Sequence, residues 1–345
     1  MKRILQIDGG GIMGVIPSTI MAQLEERTNK PLCDCFDLIT GTSTGAIIGG
    51  AISAGVSARQ IASLYLDKGR DLFTKRSLWV PFVRSKYDRG PFITEIAQTQ
   101  TENRDEQGQK IPLGDIKLSD LNTLFMATAF NLCSRRTHFI KSWYQKDQPY
   151  PLVDVISWSA LSAAYYFGKI NRADYKWCHY EPDGLESYEC CRYPSPSSKP
   201  PNHSSQKEGA VFQDGGQGAH NNTLGYILME IMTNSWTQDE EIYILSLGSG
   251  DLNPYVPYNQ AVKISSLKQI LLSFFQARGE SIVDQVLAAL HVSHINPKIH
   301  FKRLDKTLSN KEVGLDKVEY IEKYQQYGLE LSQQITDEEL RIIVN

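Results

Sequence analysis

Residues 36–48 have the sequence FDLITGTSTGAII, and this stretch decides the fold of the chain. Apolar residues at Phe36, Leu38 and Ile39 predict a buried strand. Gly-x-Ser-x-Gly follows at 41–45, and the small residues after it predict a tightly packed helix. Strand, sharp turn and helix in this order are typical of a nucleophile elbow, in which the serine hydroxyl stands clear of the backbone.

Ser43 occupies the centre of that turn, flanked by Gly41 and Gly45. Side chains at the two glycine positions would collide as the strand and the helix close on each other. A helix that begins next to Ser43 would favour negative charge there, such as a tetrahedral oxyanion. The pattern favours a nucleophile, although an ordinary Gly/Ser-rich turn has the same five-residue spacing.

A second glycine-rich turn, Asp8-Gly9-Gly10-Gly11-Ile12-Met13-Gly14, directly follows the first predicted strand. Gly9, Gly11 and Gly14 match the dinucleotide fingerprint, and Asp34 lies 20 residues further on. Asp34 precedes the second strand instead of following it, and Asp8 would place a carboxylate beside the pyrophosphate. Successive glycine N–H groups also form anion-binding nests, which predicts an oxyanion hole if Ser43 lies nearby.

Asp214-Gly215-Gly216 ends a predicted strand over residues 210–213. Glycines after an aspartate let other backbone segments approach its carboxylate closely. The sequence therefore indicates either a plain turn or a functional carboxylate at Asp214.

The rest of the chain alternates between predicted strands and helices. Strands are predicted over 4–7, 124–130, 137–143, 241–247 and 299–304, and helices over 17–27, 56–73, 154–164 (capped by Asp154), 220–232, 264–291, 318–331 and 337–343. This alternation predicts an α/β fold with a mainly parallel sheet and helices on both faces. We predict one domain over residues 1–305, with the C-terminal helices of 306–345 packed on it.

Three stretches lack a regular pattern. Residues 74–92 are basic and aromatic, and predict either an amphipathic surface loop or a patch for lipid head groups or another subunit. Residues 99–110 are polar and predict a solvated loop. Residues 171–209 are rich in proline, and predict a lid or insertion loop, or a disordered insertion.

The composition narrows the classes of function. A net charge of −3 over 345 residues predicts no nucleic-acid polymer as partner. The chain has no apolar run of membrane-spanning length and no secretory signal pattern, so we expect a cytoplasmic protein. The cysteine and histidine residues between 178 and 203 fit no zinc spacing, and we expect neither a metal nor a cofactor.

Taken together and in this order, the motifs at 8–14, 41–45 and 214–216 resemble those of the patatin-like phospholipase family. Residues 162–167 are similar to the small-residue helix of that family, and the resemblance covers roughly residues 3–250. It implies a three-layer α/β/α fold and hydrolysis of lipid acyl esters by a Ser–Asp dyad. The implied residues are Ser43 as nucleophile, Asp214 as base, Gly9, Gly10, Gly11 and Thr44 as oxyanion hole, and Gly14, Gly41, Gly45, Gly215 and Gly216 as motif glycines.

One position departs from the family pattern, because Met13 stands where the family usually has arginine or lysine. This difference leaves a non-catalytic or weakly active ligand-binding protein of the same fold as an alternative. A dinucleotide-binding oxidoreductase using Gly9–Gly14 is a second. Since a carboxylate alone is a weak base, a triad with His220, His291, His294 or His300 is a third.

The overall size, the insertion before Asp214 and the closing helices over 317–343 more narrowly resemble the bacterial effector phospholipases of antiphage defence. That resemblance implies a cyclic di- or trinucleotide activator. It also implies a phospholipid membrane as substrate, with action at the inner membrane surface. A homo-oligomeric state is a further expectation.

Overall fold

The computed structural model describes residues 1–73, 85–163, 210–218, 220–233, 240–252 and 282–344, together with residues 166–167, 172–173, 175, 177–178 and 206–207. Most of the predicted lid at 171–209 lies outside these residues, as do residues 74–84 of the basic-aromatic stretch and the greater part of the predicted helix at 264–291. Within the described segments, no helix is long and apolar enough to cross a bilayer.

An eight-stranded mixed sheet forms the centre of the molecule. Its strands are β1 (Lys2–Ile7), β2 (Leu38–Thr42), β5 (Leu124–Asn131), β6 (Arg136–Lys141), β7 (Arg172–Ala173), β10 (Ala210–Asp214), β11 (Ile242–Leu247) and β13 (Ile299–Leu304). They lie in the order β13-β11-β1-β2-β5-β10-β7, and β6 also pairs with β5. Neighbouring strands among β13, β11, β1, β2 and β5 are parallel. Strands β6 and β10 are antiparallel to β5, and β7 is antiparallel to β10. The predicted α/β fold with a mainly parallel sheet is therefore confirmed.

Helices cover both faces of this sheet. They are α1 (Val15–Thr28), α2 (Thr44–Ser53), α3 (Ala58–Leu72), α4 (Gly90–Gln98), α5 (Leu152–Ala160), α6 (Leu224–Thr233), α7 (residues 282–295), α8 (Ile321–Ser332) and α9 (Asp337–Val344). Alternate strand residues point to opposite faces, so Leu5 joins the core cluster that includes residues of α1 and α2, and Ile4 joins the cluster under α6 and α7. Two hydrophobic layers thus hold three layers of secondary structure together.

The polar stretch at 99–110 was wrongly predicted as a loop, because it forms the hairpin of β3 (Gln100–Arg104) and β4 (Lys110–Pro112). Its side chains carry little apolar signal, and the turn is made locally. The Asp105 carboxylate accepts the N–H groups of Gln107 and Gln109, and Gly108 supplies a φ of 78°. The remaining short strands are β8 (Trp177–Cys178), paired with β9 (Gln206–Lys207), and β12 (Asp251–Leu252), paired with β14 (Thr307–Leu308).

Asp154 does not cap a helix as predicted. Helix α5 begins two residues earlier, at Leu152, directly after Pro151, whose fixed φ suits the residue before a helix. Asp154 therefore lies in the first turn of the helix, where its charge still suits the helix dipole.

Pairing with β5 brings the carboxyl ends of β2 and β10 together. Strand β6 pairs, over all of its own residues, with one edge of β5. On the other edge of β5, the last residue of β2, Thr42, lies opposite Thr128. The last residue of β10, Asp214, lies opposite the next residue of β5, Ala129. Because β2 is parallel and β10 antiparallel to β5, their carboxyl ends face each other at this point.

Candidate active site

Ser43 lies directly after β2 and directly before α2, with φ 55° and ψ −123°. A positive φ is strained for a residue with a side chain, and such strain is typical of functional turns. The turn is tight enough to require glycine on both sides. A Cβ atom on Gly41 would lie 2.2 Å from the Gly45 carbonyl oxygen, and one on Gly45 would lie 2.2 Å from the Ile7 carbonyl oxygen.

Asp214 meets Ser43 where the ends of β10 and β2 face each other. The Ser43 hydroxyl donates to Asp214 Oδ2 at 2.7 Å, and Asp214 Oδ1 accepts the Gly216 N–H at 2.8 Å. The two residues are only 6% and 5% exposed. Gly215 lets the chain pass β5 closely, since a Cβ there would lie 2.1 Å from Thr128 Oγ1. Both carboxylate oxygens are thus held, and the hydroxyl faces the carboxylate directly.

The glycine-rich turn at 8–14 packs against this pair. A Cβ atom on Gly9 would lie 2.8 Å from the Ser43 Cβ, and one on Gly14 would lie 2.3 Å from Thr44 Oγ1. Gly11 has a φ of 59° and touches Leu315, in the segment before α8. The two glycine motifs, separate in the sequence, therefore form one wall beside Ser43.

Backbone N–H groups of this wall differ in their partners. The Gly9 N–H faces the Asn221 carbonyl oxygen at 3.5 Å, and the Ser43 N–H donates to Ser159 Oγ at 3.0 Å. In the described part of the chain, the N–H groups of Gly10, Gly11 and Thr44 have no acceptor. These three groups are available to an anion, whereas that of Gly9 already faces a carbonyl.

The four histidines considered for a triad lie elsewhere. The His220 ring packs on Phe139 with centroids 5.1 Å apart, and its Nδ1 is buried without a partner, so that burial lowers the pKa of this imidazole. His291 and His294 are exposed on α7, and His300 is exposed on β13, at the far edge of the sheet. The structure places no imidazole of these four between Ser43 and Asp214.

Met13 is 5% exposed and belongs to the hydrophobic core, so it supplies no charge to the turn. Within the described residues, a cation reaches the turn from β13 instead: Arg303 donates to Asp8 at 2.6 Å and to Asp305 at 2.5 Å. Burial alone would lower the pKa of Arg303, but the two carboxylates raise it. Sequence reasoning missed Arg303, since 295 residues separate it from Asp8.

Arg303→Met should lower the free energy of unfolding by about 3–5 kcal/mol, because it leaves the buried carboxylate of Asp8 and the partly buried carboxylate of Asp305 without their cation. The matched control is Arg70→Met, which removes an exposed ion pair to Glu322 and should cost less than about 1 kcal/mol. Urea denaturation of both variants measures the difference. Equal losses would contradict a special role for Arg303.

The loss of unfolding free energy in Arg303→Met should also depend on pH. Burial raises the pKa of Asp305, and Arg303 opposes that rise. Without Arg303, the pKa rises further above its unfolded value, so the folded variant binds protons more readily than the unfolded one. The deficit in unfolding free energy should therefore shrink from pH 8 to pH 5.

The family model described as Patatin-like phospholipase matches residues 5–224, more than half of the chain. The chain therefore belongs to the patatin-like phospholipase family. A cGAMP-activated phospholipase of Escherichia coli is 27% identical over 180 residues, which are 48% of this chain and 47% of that protein. Patatin-17 of Solanum cardiophyllum is 35% identical over 112 residues, 28% of each chain.

The matched part thus spans about half the length, or less, of these curated relatives. Among solved structures, VipD from Legionella pneumophila aligns over 98% of this chain and 67% of its own, with a TM-score of 0.47 and 13% identity. The resemblance inferred from the three motifs is confirmed at the level of the family.

Proposed function

We propose that this protein is a serine lipid acyl hydrolase of the phospholipase A type, which cleaves acyl esters of membrane phospholipids through a Ser43–Asp214 dyad. The observation that carries this proposal is the 2.7 Å hydrogen bond from the Ser43 hydroxyl to Asp214, formed at a strained elbow beside a glycine-rich turn. Membership in the patatin-like phospholipase family supports the substrate class.

In the proposed reaction, Asp214 accepts the hydroxyl proton as Ser43 Oγ attacks the acyl carbonyl carbon. Available backbone N–H groups of Gly10, Gly11 and Thr44 stabilise the resulting oxyanion. Collapse of this intermediate gives an acyl-enzyme, and the proton passes to the leaving alcohol. Water, deprotonated by Asp214, then releases the fatty acid and restores the Ser43 hydroxyl. A carboxylate removed from water is a stronger base than in solution, which suits the burial of this pair.

The dinucleotide alternative has little geometric support. Gly9, Gly11 and Gly14 of the fingerprint lie against Ser43, Leu315 and Thr44, so the protein itself occupies the positions next to these three Cα atoms. Asp34 ends a short turn before β2, at the opposite end of that strand from Ser43. The glycine turn and Asp34 therefore lie at opposite ends of the sheet strands, too far apart to bind the pyrophosphate and the ribose of one dinucleotide.

Burial of the dyad suggests that access is regulated. Ser43 and Asp214 are only 6% and 5% exposed, which is consistent with controlled access of a phospholipid ester to the dyad. The Escherichia coli relative is a cGAMP-activated phospholipase by name. We therefore extend the proposal to a cytoplasmic antiphage effector that is activated by a cyclic di- or trinucleotide and acts at the inner membrane surface.

The purified protein should accordingly show low basal release of fatty acid from phospholipid vesicles. A ligand that binds the open state about 3 kcal/mol more tightly than the closed one would raise activity about a hundredfold. The measurement is fatty-acid release with and without a panel of cyclic di- and trinucleotides, with Ser43→Ala as the blank. High basal activity that no nucleotide changes would remove the effector proposal and leave the hydrolase proposal standing.

A further inference from the structure

Within the described residues, the carbonyl oxygen of Gly9 accepts two side-chain hydrogen bonds. Asn221 Nδ2 donates to it at 3.0 Å, and Ser249 Oγ donates to it at 2.8 Å. Asn221 follows the turn after Asp214, and Ser249 follows β11, so two distant chain segments converge on one backbone oxygen. Both side chains are buried, at 2% and 4% exposure.

Holding this carbonyl fixes the direction of the next N–H group. In a planar trans peptide the C=O of one residue and the N–H of the next point in opposite directions. No cis bond occurs among the described residues, so the Gly10 N–H points away from Asn221 and Ser249. Glycine on both sides of this peptide gives its backbone more conformational freedom than other residues would. The two hydrogen bonds to the carbonyl limit that freedom.

Close packing supports the same role. A Cβ atom on Gly9 would lie 2.5 Å from Asn221 Oδ1, and a Cβ atom on Gly10 would lie 2.2 Å from Ser249 Oγ. The backbone carbonyl of Asn221 also faces the Gly9 N–H, at 3.5 Å. Asn221 therefore holds Gly9 on both sides of its Cα atom, while Gly9 itself lies against Ser43.

We propose that Asn221 and Ser249 are positioning residues of the oxyanion hole, which aim the Gly10 N–H at the oxyanion formed on attack by Ser43. This inference rests on the proposed hydrolase function. Neither side chain needs to touch the substrate, because each acts through the Gly9–Gly10 peptide.

The test compares Asn221→Ala, Ser249→Ala and the double variant in hydrolysis of a p-nitrophenyl ester. Loss of one oxyanion donor typically costs about 10²–10³ in rate. We expect about a tenfold loss of kcat for each single change and about 10²-fold or more for the double change, with KM within about twofold. The affinity for a trifluoromethyl ketone should fall in parallel with kcat, because its adduct with Ser43 places an oxyanion in the same hole.

Thr123→Val is the matched control, since Thr123 Oγ1 also donates to a buried backbone carbonyl, that of Phe36, at 2.6 Å and at the opposite end of β2. It should leave kcat and ketone affinity unchanged. Thermal unfolding of each single variant shows whether a loss of kcat comes from unfolding of the protein or from a changed orientation of the Gly10 N–H group in the folded protein. The proposal is overturned if folded Ser249→Ala and Asn221→Ala keep full kcat, or if Thr123→Val lowers kcat equally. A parent protein that neither hydrolyses the ester nor reacts with a fluorophosphonate at Ser43, with or without the panel of cyclic nucleotides, would instead remove the hydrolase function itself.

Discussion

Ser43→Ala is expected to lower ester hydrolysis by on the order of 10⁴- to 10⁶-fold, the scale of nucleophile loss in serine hydrolases. Alanine keeps the Cβ atom, so the elbow geometry with φ 55° gains no new strain or clash. What disappears is the hydroxyl that donates to Asp214. The measurement is p-nitrophenol release from a short-chain ester, together with fatty-acid release from vesicles.

A serine at the other end of α2 provides the matched control. Ser53 ends α2, and its hydroxyl is buried without a hydrogen-bond partner in the described structure. Ser53→Ala should therefore keep both stability and activity close to those of the parent. Hydrolysis by Ser43→Ala within tenfold of the parent would rule out Ser43 as the nucleophile.

Asp214→Asn is expected to be nearly as damaging as Ser43→Ala. The amide retains an oxygen that can accept the Gly216 N–H, but it cannot take the proton from the Ser43 hydroxyl. Because the two residues act as one unit, the double variant should be no slower than the worse single variant. Fluorophosphonate labelling of Ser43 should slow along with hydrolysis, since both need the activated hydroxyl.

Histidine variants test the alternative of a triad. Among the four histidines considered for a triad, His220 is the one whose backbone lies near the site, where its carbonyl oxygen accepts the Thr42 hydroxyl at 2.9 Å. Its ring packs on Phe139, so His220→Gln should retain most of the activity. A loss equal to that of Ser43→Ala, in a folded variant, would replace the dyad with a triad.

Local pattern was sufficient for much of the fold. The strand predicted at 299–304 is β13, and the strands and helices around the Gly-x-Ser-x-Gly stretch occur within a few residues of their predicted bounds. Burial on one or both faces imposes a periodicity that the sequence displays directly. The hairpin at 100–112 escaped prediction because backbone pairing and a local turn hold it, with few apolar side chains to reveal it.

Candidate site residues were also present in the sequence as glycine turns and a strand-end aspartate, and their order indicated the family. The sequence by itself therefore indicated most of the strands and helices, although not α4 or the hairpin of β3 and β4, and it showed which side chains are chemically suited to a hydrolase. It left the choice between a dyad and a triad open, because spacing along the chain does not state which side chains touch.

Tertiary structure alone decided the contacts. Ser43 and Asp214 are 171 residues apart in the sequence. They meet because β2 and β10 both pair with the same edge of β5, with their carboxyl ends facing each other. Asn221, Ser249 and Arg303 reach the glycine-rich turn in the same way, from loops and a strand brought together by the order of the sheet. Strand order and register are set by the packing of the whole core, and no local stretch of sequence carries that information.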